Sequence, residues 1–256
     1  MNAPAPGSNH RFVWFHEMKV LLTVSLCLCV LPGCGKRQYD QAGSSEKDAA
    51  LTVSKNDSTA AIRKILCLHG GGGNAREFQD NPGINSLRKA LGSNYELVFA
   101  QAPDGGLWMR DPPGGKKKPT TDPDWAAESV SILNAIVEEQ GPFYGILGYS
   151  QGAAVIPVYL SRVPGGTFQM AAMFGGYLPT THQGLINRIK AKAPIDNIPA
   201  LVWLGVTDWI ANDNLASPFK NPKLLLDSRA GHVVPSRSDT TFNRVVQAIK
   251  KPIQDR

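Results

Sequence analysis

Gly148-Tyr149-Ser150-Gln151-Gly152 combines a potential nucleophile with two glycines at a fixed spacing. The pattern G-x-S-x-G describes a sharp turn from strand to helix that holds a Ser hydroxyl out above a sheet. Glycine on either side lets the strand and helix backbones approach without a Cβ clash. The first turn of such a helix has N–H groups with no intrahelical partner, and these suit a developing oxyanion. An apolar run, Phe143 to Leu147, precedes the motif, and a helix-like stretch from Ala153 follows it. Pro157 is expected to limit or bend that helix.

A Ser hydroxyl is a poor nucleophile until a base takes its proton. In hydrolases built on this turn the partners follow along the chain in the order Ser, acid, His. His10, His16 and His69 precede Ser150, so only His182 and His232 lie in the right part of the chain. No Glu occurs between Ser150 and His232, which leaves Asp196, Asp208, Asp213 and Asp227 as candidate acids. Asp208 is favoured because it follows the apolar run Ala200 to Leu204 after the short Gly205-Val206-Thr207 turn, at a strand end. His232 is favoured because it follows the Leu224-Leu225-Leu226 run, whereas His182 precedes every favoured Asp. In this arrangement Ser150 attacks a carbonyl carbon, His232 takes and returns the proton, and Asp208 orients the imidazole. Only a neutral imidazole acts as a base, so activity should fall on the acid side. The oxyanion donors are expected to be the N–H of Gln151 and one from the His69-Gly70-Gly71-Gly72-Gly73 loop, with Gly71 the best placed.

These residues must be held by a regular framework. From Ile62 onward, short apolar runs alternate with helical stretches. Strands are expected near 65–68, 95–100, 143–147, 170–174, 200–204 and 223–226, each bounded by turn residues. Helices are expected near 85–91, 124–139, 151–160, 183–193 and 240–250. Asp122 or Asp124 is expected to cap the second of these, with Pro123 in its first turn. Such alternation predicts an α/β fold with a mostly parallel sheet and helices on both faces. Ligands then bind at the carboxyl ends of the strands. The Pro- and Gly-rich segment from Ala102 to Trp125 lacks periodicity and is long enough to be a lid or binding loop. Trp108, Met109, Trp125 and Tyr149 are candidate walls of a substrate pocket.

Several blocks resemble the FSH family of serine hydrolases, which is close to the phospholipase/carboxylesterase group. Lys64-Ile65-Leu66-Cys67-Leu68-His69-Gly70 is similar to the family's opening strand. Gly141 to Ala153 resembles its serine block, Gly231-His232-Val233-Val234-Pro235 its histidine block, and Gly205-Val206-Thr207-Asp208 lies where its acid lies. The resemblance runs from about Lys64 to Ile249. It implies a small α/β-hydrolase fold that cleaves carboxylic esters with no metal and no cofactor.

The N-terminal part reads differently. Val20 to Leu31 is an apolar run too short to span a bilayer as a helix. It follows Met18-Lys19 and ends in Leu31-Pro32-Gly33-Cys34, the form of a secretory signal with a lipobox. Cys34 is then the expected lipidation site and residues 1–34 the signal region, with residues 1–17 as an over-extended start or a long leading segment. Residues 35–61 are polar and aperiodic, as in a flexible tether, and residues 62–256 form the hydrolase domain. The expected location is exported, either membrane-anchored through lipid or periplasmic or secreted. Of the four Cys, only Cys67 lies in the mature body, so no internal disulfide is expected there.

The apolar content of 42% and charged content of 19% are those of an ordinary globular chain, excluding a disordered or multi-span one. The net charge of +6 is spread along the chain. Lys116-Lys117-Lys118 sits among Pro and Gly and reads as a solvated loop, so nucleic-acid binding is not expected. The leading expectation is an esterase acting on a small-molecule ester. The alternatives are a thioesterase or peptidase with the same triad, or a catalytically idle, tethered binding protein.

Overall fold

The computed structural model describes residues 61–252 apart from Lys117, Asp196 and Asn197. The expected signal region, Cys34 and the tether up to residue 60 lie outside the described residues. In chain order the elements are β1 (Arg63–Leu68), α1 (Ala75–Gln79), α2 (Pro82–Leu91), β2 (Tyr95–Ala100), α3 (Ala127–Gln140), β3 (Gly145–Tyr149), α4 (Gln151–Leu160), β4 (Met170–Phe174), α5 (Gln183–Lys192), β5 (Ala200–Gly205), β6 (Lys223–Asp227) and α6 (Phe242–Lys250). Short 3-10 turns span Asp104–Gly106 and Asp213–Ala216.

The six strands form one parallel sheet in the order β2-β1-β3-β4-β5-β6. Strand β1 sits between β2 and β3, so the chain winds outward in opposite directions from this point. A crevice opens at such a switch point, above the carboxyl ends of the strands. Both faces of the sheet are covered, so its strands read as nearly continuous apolar runs. In β1, Leu66 and Leu68 face a core shared with α3, α4 and α5. Ile65 and Cys67 face a second core, shared with α1, α2 and α6. Burial pushes the Cys67 thiol well above its ordinary pKa, which makes it an inert packing group.

Helix α4 is buried on all sides from Gly152 to Leu160, as expected of a helix that runs through a core. It does not end or break at Pro157. It continues to Leu160, and Ser161 N donates to Pro157 O at 3.1 Å. Packing on every face outweighs the one backbone hydrogen bond that a proline removes.

The start of α3 differs from expectation. Neither Asp122 nor Asp124 caps it; its N-cap is Ala126, with no side-chain bond. Asp122 Oδ1 instead accepts from Asp124 N at 2.8 Å, and Asp124 pairs with Arg188 at 3.0 Å. The helix starts at Ala127, after a turn in which Ala127 N donates to Asp124 O at 2.8 Å. Helix α1, capped by Asn74, is too short to leave a periodic signal in the sequence. Helix α2 starts earlier than expected, at Pro82, because Asn81 Oδ1 accepts from Gly83 N and Ile84 N.

Candidate active site

Ser150 occupies the turn between β3 and α4, with φ 53° and ψ −118°. A positive φ is strained for a side chain with a Cβ, and such strain persists only where the surroundings impose it. Here the two flanking glycines make the turn possible. A Cβ on Gly148 would lie 2.3 Å from Gly152 O, and one on Gly152 would lie 2.3 Å from Leu68 O. Ser150 N donates to Phe174 O at 2.9 Å, which ties the turn to β4.

The acid and imidazole loops meet the serine from β5 and β6. His232 Nε2 lies 2.9 Å from Ser150 Oγ, and His232 Nδ1 lies 2.8 Å from Asp208 Oδ2. The Asp208 side chain is fully buried, while that of His232 is 21% exposed. Asp208 Oδ1 accepts from Ile210 N at 2.9 Å and Ala211 N at 3.1 Å, so both carboxylate oxygens are engaged.

The two loops are stitched to each other. Thr207 N and Thr207 Oγ1 both donate to Ala230 O, at 3.1 and 2.8 Å, and Val206 N donates to Asp227 O at 2.9 Å. The other candidate acids take no part in this relay. Asp227 is buried and accepts from Thr240 Oγ1, Thr241 N, Thr241 Oγ1 and Arg229 N. Desolvation, the largest single influence, pushes its pKa up, but these four hydrogen bonds together bring it down to about 2. Asp213 opens a 3-10 turn, and Asp196 lies outside the described residues. His182 binds Arg110 O through Nε2 at 2.8 Å.

Ser150 opens into a cavity of about 550 Å3. Gly71 and Gln151 line it beside the serine, and no acceptor takes either backbone N–H among the described residues. Such free N–H groups fit an oxyanion site. The apolar wall includes Leu107, Met109, Leu178 and Ile210, and Lys116 stands at its edge. No helix among the described residues is long and apolar enough to cross a membrane, and no group of metal-ligating side chains occurs among them.

A family model described as "Serine hydrolase (FSH1)" matches residues 107–243, more than half of the chain, spanning the serine turn and both partner loops. The chain belongs to the FSH1 serine hydrolase family. Similar members carry esterase names. Esterase FPY3 of Fusarium mangiferae is 29% identical over 74% of this chain and 96% of its own. Esterase CG5412 of Drosophila melanogaster is 28% identical over 77% of each. Esterase OVCA2 of Danio rerio is 27% identical over 70% of this chain and 93% of its own. Among solved structures, acyl-protein thioesterase 2 of Zea mays superposes with a TM-score of 0.54 at 19% identity, over 75% of this chain and 94% of that one. A carboxylesterase of Mesorhizobium loti superposes with a TM-score of 0.52 at 17% identity, over 74% and 89%. These place the FSH1 domain in the α/β-hydrolase fold.

Three aromatics expected to wall the substrate pocket do not line this cavity of the FSH1 site. Trp108 is 1% exposed and packs beneath the cavity, donating Nε1 to His69 O at 2.8 Å. Tyr149 lies behind the imidazole: its hydroxyl donates to His232 O at 2.9 Å, and its ring centroid is 5.0 Å from that of His232. Burial raises the Tyr149 pKa, and the Asp208 charge adds to the rise. Trp125 is engaged by Arg110 O, at 2.9 Å from its Nε1. Bulky aromatics in a sequence do not reveal which side of a loop they face: Trp108 is buried here, whereas Trp209 is exposed.

Three supporting roles, of the Gln151 side chain, Gly175 and the His69 imidazole, were not read from the sequence. The Gln151 side chain accepts from Trp108 N at 2.8 Å and donates to Met109 O at 2.8 Å, so it clasps the long loop beside the serine. Gly175, after β4, has φ 55°, and a Cβ there would lie 3.1 Å from Asp208 Oδ2 and 3.3 Å from His232 Nδ1. His69, 1% exposed, joins the loops after β1 and β2: Nδ1 bonds Gly70 O at 2.7 Å and Nε2 accepts from Ala102 N at 3.1 Å. A His-Gly pair directly after a buried strand was the one available signal for the last of these.

Proposed function

We propose that this chain hydrolyses small-molecule carboxylic esters through a covalent acyl-enzyme. Ser150 Oγ adds to the carbonyl carbon as His232 Nε2 takes its proton, and the resulting oxyanion sits between Gly71 N and Gln151 N. His232 then protonates the departing alcohol, leaving an acyl ester on Ser150. Water repeats the sequence, with His232 as base, and releases the acid. Asp208 holds the imidazole with its Nδ1 proton toward the carboxylate and stabilises the imidazolium. The observation that carries this reading is the unbroken relay from Ser150 Oγ to Asp208 Oδ2, with contacts of 2.9 and 2.8 Å, at a cavity.

The test is labelling with a fluorophosphonate, joined to hydrolysis of a graded series of acyl esters. Wild type is expected to be labelled once per chain, at Ser150. Ser150→Ala is expected to lose the label and about 10⁵-fold or more in kcat. Folded wild type that takes no label, or a Ser150→Ala protein that hydrolyses esters at a rate near wild type, sinks the reading.

We also propose that the chain is exported and anchored through a lipid on Cys34, a reading supported by the Val20 to Leu31 apolar run and the Leu31-Pro32-Gly33-Cys34 ending. Metabolic labelling with a radioactive fatty acid in a bacterial host is expected to mark wild type and not Cys34→Ala. Unlabelled wild type in the soluble fraction would remove the anchor.

A further inference from the structure

Trp209 follows Asp208 directly and lines the rim of the cavity that contains Ser150. It is 87% exposed, the most exposed large apolar side chain among the described residues. The other indoles there are engaged: Trp108 Nε1 donates to His69 O, Trp125 Nε1 to Arg110 O and Trp203 Nε1 to Thr241 Oγ1. Trp209 shows no such bond.

The turn around it, by contrast, is tightly held. Asp208 N donates to Gly205 O at 3.1 Å, and Asp208 Oδ1 accepts from Ile210 N and Ala211 N. The carboxylate that pairs with His232 therefore also fixes the turn that displays the indole. A large apolar ring presented to water at the mouth of the cavity would gain burial from a ligand seated there.

The ring stands at the rim with little protein around it. At 87% exposure its flat faces are open to solvent, and an aromatic face pairs favourably with another ring by offset stacking. Met109 lines the same cavity and adds a flexible thioether, which packs well against ring edges. Resting on the ester hydrolysis proposed above, we propose that Trp209 determines specificity, selecting esters in which a flat aromatic or conjugated group extends from the carbonyl to the cavity rim.

Two matched ester pairs test this. One is methyl 4-phenylbutanoate with methyl 4-cyclohexylbutanoate; the other is 4-phenylbutyl acetate with 4-cyclohexylbutyl acetate. The members of each pair have similar size but differ in flatness, and the two pairs place the ring on the acyl or the alcohol side. Wild type is expected to favour the phenyl member of one pair by up to about tenfold in kcat/KM. Trp209→Leu should erase that preference, and Trp209→Phe should retain part of it. Equal rates for both members in both pairs, or a preference that survives in Trp209→Leu, overturns the proposal.

A second readout needs no turnover. In Ser150→Ala protein, the acrylamide quenching that disappears on adding Trp209→Phe reports this exposed indole. The phenyl ester should reduce that quenching and the cyclohexyl ester should not; equal protection by both, or by neither, overturns the proposal. Wild type that resists fluorophosphonate labelling would defeat the hydrolase reading instead, and the quenching result would still judge Trp209.

Discussion

Gly175 has no chemistry of its own, yet it sets how closely the acid and base can meet. Its φ of 55° suits glycine, and the space a Cβ would need lies 3.1 Å from Asp208 Oδ2 and 3.3 Å from His232 Nδ1. Gly175→Ala is therefore expected to push the carboxylate and imidazole apart. Displacements well under an ångström at reacting groups are costly, so kcat should fall about tenfold to a hundredfold with KM little changed. The backbone strain should add about 1 kcal/mol of destabilisation. Steady-state kinetics beside a melting curve checks both parts; wild-type kcat in a folded Gly175→Ala protein would show that the pair has slack to spare. Ser150, Asp208 and His232 were legible in the sequence because the turn motif and chain order restrict the choices. Gly175 was not, since nothing near it in sequence marks what stands opposite it in space.

At the scale of elements, the loops that carry Ser150, Asp208 and His232 are held by polar clasps between strand ends. Asp227 closes β6 and gathers Thr240, Thr241 and the Arg229 N–H, bracketing the loop that carries His232. His69 joins the ends of β1 and β2. Burial lowers the His69 pKa below its ordinary 6.5, with smaller opposing effects from Gly70 O and Glu77. Below pH 6.5 the unfolded chain then takes up this proton before the folded one does, so stability is lost as pH falls from there toward the lowered folded value. Asp227 acts in the same direction in a second window. Its folded pKa of about 2 lies below the ordinary 3.8, so its contribution is complete above 3.8 and is lost as pH falls toward 2. Melting temperatures across pH should therefore decline in two stages, with the first reduced in His69→Gln and the second in Asp227→Asn. Identical pH profiles for wild type and both variants would refute these assignments. The strands and longer helices were readable from apolar runs and periodicity, to within about two residues at most ends. Helix α1 and the late start of α3 were not, because one is very short and the other follows a turn through Asp122 and Asp124 that nothing in local periodicity marks.

For the whole molecule, the decisive feature is the switch point at β1. The loop after β1 carries Gly71, and the turn after the adjacent β3 carries Ser150, so both open into the same cavity. Strands β5 and β6 lie farther along the same edge and deliver Asp208 and His232 from the other side. A buried parallel sheet forces its strands to be short and apolar and its connections to alternate with helices. That constraint is written into local composition, so the sequence by itself determined the fold class, the serine turn and the histidine. The burial of Trp108 beneath the cavity was decided only by the tertiary structure. So were the place of Tyr149 behind the imidazole and the exposure of Trp209. Each depends on which residues, far apart along the chain, come within a few ångströms of one another. A local pattern of residue types reports periodicity and turn chemistry but carries no measure of that distance.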